Sequence, residues 1–208
     1  SVTVTNGYAT LAELMAQIDA TGAASFTADE MAGMETAIEA ASRWIDAQTG
    51  TRFYAASETR YYTADWSDLL YIDDLLSVTT LATDDDEDGT YETTWAVTDY
   101  VLEPRNAALN GKPYRQIRYT PNGDYSFPRG VRDGVKVVGS FGYASAAPPV
   151  VEQACLLLAH RLWRRKDAIF GVAGTPALGV QVVQAKITAD ADIMALLSAV
   201  DVNRIWPR

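Results

Sequence analysis

Cysteine and histidine are almost absent from this chain, which has one of each, Cys155 and His160, among 208 residues. A single cysteine cannot form an intrachain disulfide, so we expect the protein to fold without one, as suits a reducing compartment. One cysteine and one histidine also cannot supply a cluster of soft metal ligands. The composition therefore excludes a disulfide framework and a zinc site built from His and Cys.

Basic residues are scarce as well. The 17 Lys and Arg residues stand against 27 Asp and Glu, which gives a formal net charge of −10 at pH 7. A DNA-binding surface needs a basic stripe that neutralises phosphates, and this balance argues against one. The acidity favours solubility instead.

Long apolar runs are missing too. Residues 168–185 carry no charge, but three glycines, a proline and two glutamines interrupt them, so a membrane-spanning helix is not expected. We interpret this stretch as a loop with a short strand. Residues 1–8 show neither the basic region nor the apolar core of a secretory signal, and none is expected there.

Helix signals lie at both ends of the chain. Thr10 with Glu13, and Thr27 with Glu30, have the spacing of a capping box, in which each side chain bonds the other's backbone N–H at a helix start. Gly50 closes the second helix, whose apolar positions recur every three or four residues. Those positions are Met31, Met34, Ile38, Ala41 and Ile45.

Two further helices are predicted near the C-terminus. One begins at Pro149, because proline fits the first turn of a helix, and it is apolar on most sides. Such a helix is buried or shared with another subunit. The other runs from about Asp190 to Val200, with Asp190 and Asp192 in a first turn where the helix dipole favours acid.

The middle of the chain indicates β-structure. Short segments rich in β-branched and aromatic residues alternate there with turn-forming clusters. The predicted strands cover residues 60–64, 69–72, 78–83, 95–102, 116–120 and 135–141. The fold expected from this order is α+β: a mostly antiparallel bundle of about four helices, with a β-rich insert between helices two and three.

The expected boundaries follow from the same pattern. We predict one domain over residues 1–208, with helices at about 8–52 and 149–201 and the β-rich insert at about 53–147. Residues 202–208 form a C-terminal tail.

The acidic run 84–89 is the one segment that suggests a metal. Asp84, Asp86, Asp88 and Gly89 match the start of a calcium-binding EF-hand loop, but the position that should hold a bidentate Glu is Trp95. The flanking segments also read as strands. We interpret the run as an acidic hairpin turn that ends in Asp-Gly, and we expect neither a metal nor a cofactor.

No residue pattern indicates catalysis. His160 lies mid-helix without Ser-His-Asp or Cys-His spacing, and it is interpreted as a packed or hydrogen-bonded residue. Cys155 is interpreted as a small core residue. Asp73 and Asp74 are paired carboxylates, which can do acid–base work, but a turn at the end of a strand is the favoured reading. We therefore expect no enzyme activity.

Four basic residues end the third helix: Arg161, Arg164, Arg165 and Lys166. Cations suit a helix C-terminus, because the helix dipole is negative there. The sharper hypothesis is a partner or subunit interface, and both interpretations stay open.

Several short segments follow one another in a characteristic order. They are AASRWID at 40–46 with TGTRF at 49–53, LYIDDL at 70–75 with 78–81, DGTYET at 88–93 with DYVLEP at 99–104, FGY at 141–143 with the helix at 153–165, and the last helix at 190–197. This series resembles the head–tail connector family of tailed bacteriophages, also called the neck adaptor or head-completion family. The resemblance covers most of the chain.

The resemblance implies a structural role in the virion neck, with assembly in the cytoplasm of the host bacterium. Such proteins form a ring, usually twelve-fold, under the portal. The ring extends the DNA channel, helps to retain packaged DNA and receives the next connector or the tail. The implied partners are further copies of the chain, the portal protein, a downstream connector or tail protein, and passing double-stranded DNA that is not bound specifically.

The C-terminal tail is the expected portal contact. Arg204, Ile205, Trp206 and Arg208 are of residue types that often anchor interfaces, Trp and Arg above all, and Pro207 disfavours helix at Trp206. The resemblance also implies a tail that reaches into the portal. Two alternatives remain open: another neck or tail protein, such as a second connector or tail terminator, and a calcium-binding module or hydrolase that uses the acidic middle.

Overall fold

The computed structural model describes residues 4–121, 123–165 and 191–200. Its helices are α1 (Leu11–Ile18), α2 (Ala28–Thr49), α3 (Pro149–Arg164) and α4 (Ala191–Ser198). Its strands are β1 (Ala56–Tyr62), β2 (Leu69–Thr83), β3 (Thr93–Thr94), β4 (Tyr100–Glu103), β5 (Tyr114–Tyr119) and β6 (Val135–Phe141). None of the described helices is long and apolar enough to cross a membrane.

Both capping boxes predicted from the sequence are confirmed. The Thr10 hydroxyl accepts from the Glu13 N–H at 3.2 Å, while the Glu13 carboxylate accepts from the Thr10 N–H at 2.7 Å. Thr27 and Glu30 repeat this reciprocal pair at the start of α2. Gly50 then ends α2 in the left-handed conformation, with φ at 65°, which glycine adopts without a Cβ clash. These helix starts and this stop are therefore local consequences of the sequence.

The expectation of a mostly helical bundle with a β-rich insert is wrong. The chain forms a six-stranded sheet in the order β1-β6-β2-β5-β4, with β3 beside β2, and all the ladders are antiparallel. Among the described helices only α2 is longer than 16 residues. The sheet is therefore a principal part of the fold and not a small insert in a helical bundle.

The interpretation of Asp73 and Asp74 as a turn at the end of a strand is also wrong. Strand β2 instead runs through them for 15 residues. Asp73 pairs with Arg60 at 2.5 Å and Asp74 pairs with Arg115 at 2.7 Å, so both carboxylates are neutralised within the sheet. The bounds of other strands also differ: β1 begins at Ala56, and the expected strand 95–102 is reduced to β4.

The chain divides into two compact units, Ser1–Thr51 with Ala147–Arg208, and Arg52–Ala146. In the first unit, α2 packs against α3. The apolar stripe predicted for α2 is confirmed at four of its five positions, because Met34, Ile38, Ala41 and Ile45 are fully buried, while Met31 is half-buried. The Tyr8 N–H donates to the Ser42 hydroxyl at 3.0 Å, which fixes the preceding segment to the same helix.

The second unit, Arg52–Ala146, is organised by β2 and β6. Its core is a cluster of buried apolar side chains from the strands and their loops, and within it Trp95 stacks on Phe127 with ring centroids 4.7 Å apart. Strand β6 approaches β2 very closely at Gly139, where a Cβ would lie 2.3 Å from the Ser77 carbonyl oxygen. Only glycine fits at that point.

We predict that Gly139→Ala destabilises the protein and that Gly33→Ala does not. The added methyl at Gly139 would overlap the Ser77 carbonyl, and overpacking of this kind costs about 1–3 kcal/mol or more. Gly33 lies inside α2, where a Cβ would meet Trp163 at an ordinary 3.8 Å, so alanine should stabilise the helix by about 0.5–1 kcal/mol.

The measurement is urea denaturation followed by circular dichroism on both variants and the parent. The fold described above is contradicted if Gly139→Ala leaves the midpoint at or above that of the parent.

Candidate functional site

The predicted basic cluster lies at the C-terminal end of α3. Arg161 and Arg164 occupy the last turn and Arg165 caps it, where cations meet the negative end of the helix dipole. An Arg161 guanidinium nitrogen is 3.8 Å from an Asp192 oxygen, which links α3 to α4. Lys166 lies outside the described residues. The structure therefore places three of the four residues together, and their role as an interface stays a prediction.

His160 belongs to the same end of α3. The Arg164 Nε–H donates to His160 Nε2 at 3.1 Å, which requires a neutral imidazole. Burial, followed by the positive charges of Arg164 and Arg161, lowers the pKa of His160 below its ordinary value. In the part of the chain that the structure describes, His160 thus hydrogen-bonds a cation and is not paired with a nucleophile.

Cys155 is a core residue of the helical unit, as expected from the sequence. It is fully buried, and its Sγ is 3.5 Å from the Ser42 hydroxyl oxygen. Burial raises the pKa of the thiol to about 11, so the reactive thiolate is disfavoured at neutral pH. His160 and Cys155 have different partners among the described residues and do not form a nucleophile–base pair.

Asp73 and Asp74 also do not form an acid–base pair. Asp73 accepts from the Tyr62 hydroxyl at 3.0 Å and pairs with Arg60, while Asp74 pairs with Arg115. Burial raises the pKa of Tyr62, and the negative charge of Asp73 raises it further, so the phenol keeps its proton and donates. These groups hold strands together and are not poised for proton transfer.

The acidic run 84–89 forms the turn between β2 and β3, as the hairpin interpretation predicts. The Asp84 carboxylate accepts from three backbone N–H groups of its own turn, those of Asp86 at 3.2 Å, Glu87 at 2.8 Å and Gly89 at 2.8 Å. Burial opposes its ionisation, but these hydrogen bonds outweigh that effect and hold the pKa of Asp84 below its ordinary value. The carboxylate therefore organises the turn.

The same turn brings three carboxylates close together. Ligand oxygens of Asp84, Asp86 and Asp88 lie within 4.8 Å of one another, with Asp84 buried and the other two exposed. Trp95 stands where a calcium loop needs its bidentate Glu, and its indole stacks on Phe127 instead. Both oxygens of Asp84 already accept hydrogen bonds. The residues do not fit an EF-hand site.

Sequence reasoning missed one surface, the outer edge of β1. This strand ends the sheet, and its residues Ser57, Thr59 and Tyr61 are exposed. Tyr61 is 53% exposed, and its ring centroid lies 5.7 Å from that of Tyr91. The alternation of exposed and half-buried residues is visible in the sequence, but edge position depends on the strand order, which the sequence does not reveal.

The basic cluster and the β1 edge are thus the candidate interaction surfaces among the described residues. No family model and no curated protein matches the chain. Solved structures that are similar to it include three chains at 20% identity from gene transfer agent (GTA) particles.

The first of these is the neck of an empty GTA particle computed with C6 symmetry, with a TM-score of 0.57 over 96% of this chain and 92% of the other. The second is the virion of a native GTA particle, at 0.61 over 100% and 96%. The third is the neck of a native GTA particle computed with C12 symmetry, at 0.53 over 96% and 91%. At this identity the likeness shows a shared fold.

We predict that Asp84→Asn destabilises the protein at pH 7 and that the difference shrinks in acid. A carboxyl whose pKa is depressed by folding stabilises the protein above the unfolded pKa of about 4, and this contribution is lost as the pH falls through the folded value. The urea midpoints of parent and variant should therefore converge below about pH 4. Asp86→Asn is the matched control, because Asp86 is exposed, and it should change little at any pH.

The same samples test for calcium. After treatment with a chelator, calcium up to roughly 0.1 mM should leave the midpoint unchanged, since sensor sites fill below that range. A stabilisation at micromolar calcium that disappears in Asp86→Asn would show that the turn is a metal site after all.

Proposed function

We propose that this chain is a structural protein of the neck of a phage-like particle. It forms a ring under the portal, extends the DNA channel, helps to retain packaged DNA and offers the attachment surface for the next connector or the tail. The observation that carries this proposal is the likeness in fold to neck chains, which spans 96% of this chain and at least 91% of theirs.

The sequence resemblance supports the same role by a separate route. The series of segments from 40–46 to 190–197 resembles the head–tail connector family in its order, and this resemblance depends on the sequence alone. The single connector domain over 1–208, with its tail at 202–208, is part of this proposal. Location in the virion neck, after assembly in the bacterial cytoplasm, belongs to it as well.

The chemistry of the described residues supports a role without catalysis. The candidate groups for acid–base or nucleophilic work are engaged elsewhere: Asp73 and Asp74 with arginines, His160 with Arg164, and Cys155 with Ser42. No metal or cofactor is proposed. The function depends on protein–protein contacts.

A ring is the proposed form of assembly. Two of the similar structures are necks computed with C6 and C12 symmetry, and a cyclic ring needs a heterologous interface whose rotation closes. A twelve-fold ring is proposed for this chain. The basic end of α3, with Arg161, Arg164, Arg165 and Lys166, is the proposed contact with protein, which fits a channel that lets DNA slide. Many phosphate contacts would instead hold DNA by counterion release.

We predict that the purified protein forms closed rings, alone or on the portal, and that assembly tightens as salt rises. Each copy carries a net charge of −10, so the copies repel one another, and salt screens this repulsion. Electron micrographs of the protein alone, of the portal alone and of their mixture are the measurement. A particle reconstruction with only one or two copies in each neck would rule the ring out.

We further predict that residues 203–208 carry the portal contact. This segment lies outside the described residues, and the proposal rests on its composition and on the family resemblance. Trp206→Ala should lower portal affinity about thirtyfold, because loss of a buried interface Trp typically costs ~2 kcal/mol or more. Deletion of 203–208 should abolish binding while the circular dichroism spectrum stays that of the parent.

Trp66→Ala is the matched control, because it removes an exposed tryptophan, 46% exposed, from the sheet unit. Portal binding by the truncated protein at parental strength would refute the docking tail without refuting the ring.

A further inference from the structure

Among the strands that the structure describes, β1 is an edge of the sheet. It pairs with β6 alone, over seven residues from Ala56↔Phe141 to Tyr62↔Val135, and no described strand lies on its other side. The register runs without a bulge. An edge of this kind presents unpaired backbone donors and acceptors in a row, which is a template for another strand.

The direction of these backbone groups follows from the β6 ladder. The Asp84 N–H donates to the Gly134 oxygen, and the Gly142 N–H donates to the Asp74 oxygen. The backbone N–H and C=O groups of the even-numbered residues of β6 therefore point toward β2. Those of the odd-numbered residues point toward β1, because the N–H and C=O of one strand residue point to the same side and successive residues alternate. Their partners in β1 are Ala56, Glu58, Arg60 and Tyr62. The outward-facing residues are therefore Ser57, Thr59 and Tyr61.

Strand β1 also has few of the features by which proteins protect an edge. It contains no proline, glycine, lysine or bulge, and its outward-facing residues have exposed side chains. Its two charged residues, Glu58 and Arg60, are half-buried and paired with each other. The opposite edge, β4, has only four residues and stops at Pro104, which has no N–H to donate. The third strand with a single neighbour, β3, has only two residues, so β1 is the described edge best suited to accept a strand.

We propose that β1 is a self-recognition surface, through which two copies of the chain pair antiparallel around a two-fold axis at Thr59. The two sheets then join into one. Thr59 faces the partner's Thr59, Ser57 faces the partner's Tyr61, and the three outward residues of each copy can form up to about six backbone hydrogen bonds.

Charge complementarity selects this register. With Thr59 on the axis, Glu58 lies opposite the partner's Arg60, at the non-hydrogen-bonded position where Cα atoms are only about 4.5 Å apart. A slip of two residues in one direction sets Glu58 against the partner's Glu58. A slip in the other direction sets Arg60 against the partner's Arg60. Like charges directly opposite are destabilising, so both alternatives are disfavoured.

Other registers fail for simpler reasons. An odd slip brings outward-facing residues against inward-facing ones, so the backbone groups no longer meet. Parallel pairing in register places like charges side by side. Larger even slips avoid the clash but shorten the overlap of the two strands.

The charged pair is already ordered within each copy. Glu58 accepts from Arg52 at 2.6 Å and from Arg60 at 2.7 Å, and Arg60 also pairs with Asp73. In the pair, the partner's Glu58 and Arg60 would extend this row of alternating charges. Because both side chains are already held in place within each copy, little of their conformational entropy would be lost on pairing. The hydrogen bond from Arg52 outweighs the opposing effect of burial and, with the hydrogen bond from Arg60, keeps the pKa of Glu58 below its ordinary value.

The pair is a state of the free protein and goes beyond the ring proposed above. A two-fold contact uses the same surface on both copies and closes at two, so it cannot propagate into a cyclic ring. Two seven-residue strands also bury less area than a standard interface, so we expect a weak pair that is visible at high protein concentration.

Cysteine cross-linking tests the register. In the full-length Cys155→Ala background, Thr59→Cys should give a disulfide-linked dimer under mild oxidation, because facing Cα atoms in a hydrogen-bonded pair are about 5.5 Å apart. Ser57→Cys is the matched control on the same exposed face. It should not link to itself, since its partner's Ser57 lies about 14 Å away, but it should link when mixed with Tyr61→Cys.

Sedimentation tests the backbone pairing. The Thr59 N–H points away from β6, so Thr59→Pro removes no hydrogen bond within the chain but removes two at the centre of the pair. It should sediment as a monomer at concentrations where the parent and Thr59→Val associate. The proposal is wrong if Thr59→Cys fails to link, if Ser57→Cys links to itself equally well, or if a folded Thr59→Pro associates like the parent.

Discussion

Strand β2 holds the sheet together, because different strands pair with its two halves. Its first half, Leu69 to Leu75, pairs with β5, and its second half, Leu75 to Thr83, pairs with β6. Among the described strands, the β5–β4 pair and the β6–β1 pair are therefore joined only through β2. The register between β2 and β6 shifts near the point where β2 stops pairing with β5 and begins to pair with β6. Strand β6 can pack closely against β2 there because Gly139 has no side chain. The continuity of β2 thus determines where every other strand lies.

That continuity requires the protein to accommodate acids inside a sheet. Asp73 and Asp74 interrupt the apolar pattern of β2, yet Arg60 on β1 and Arg115 on β5 neutralise them. Asp84, at the end of the strand, is satisfied by backbone N–H groups. The sheet accommodates these three carboxylates because each has a specific partner, and burying any of them without one would be costly.

What the sequence could predict was local. The capping boxes at Thr10 and Thr27 and the stop at Gly50 depend on residues within one turn, and all three are confirmed. The path of β2 could not be predicted, because Arg115 is 41 positions from Asp74 and the pairing is set by tertiary contacts. For the candidate site, the position of Arg161 and Arg164 at a helix end follows from composition. The β1 edge does not, because being an edge is a property of the strand order.

The two kinds of contact proposed for this chain differ in their physics. Ring closure must overcome the repulsion between whole subunits of net charge −10. Salt weakens this long-range repulsion, because charges farther apart than the Debye length, about 8 Å at physiological salt, are largely screened. Pairing through β1 faces the same repulsion, but it gains two close Glu58–Arg60 contacts whose groups are already ordered, and close contacts are screened less. Moderate salt should therefore favour both associations. The effect should be stronger for the ring, because a subunit in a ring has two charged neighbours and a subunit in a pair has one. Moderate salt would then shift the free protein from the pair, which covers the open edge of β1, toward the ring.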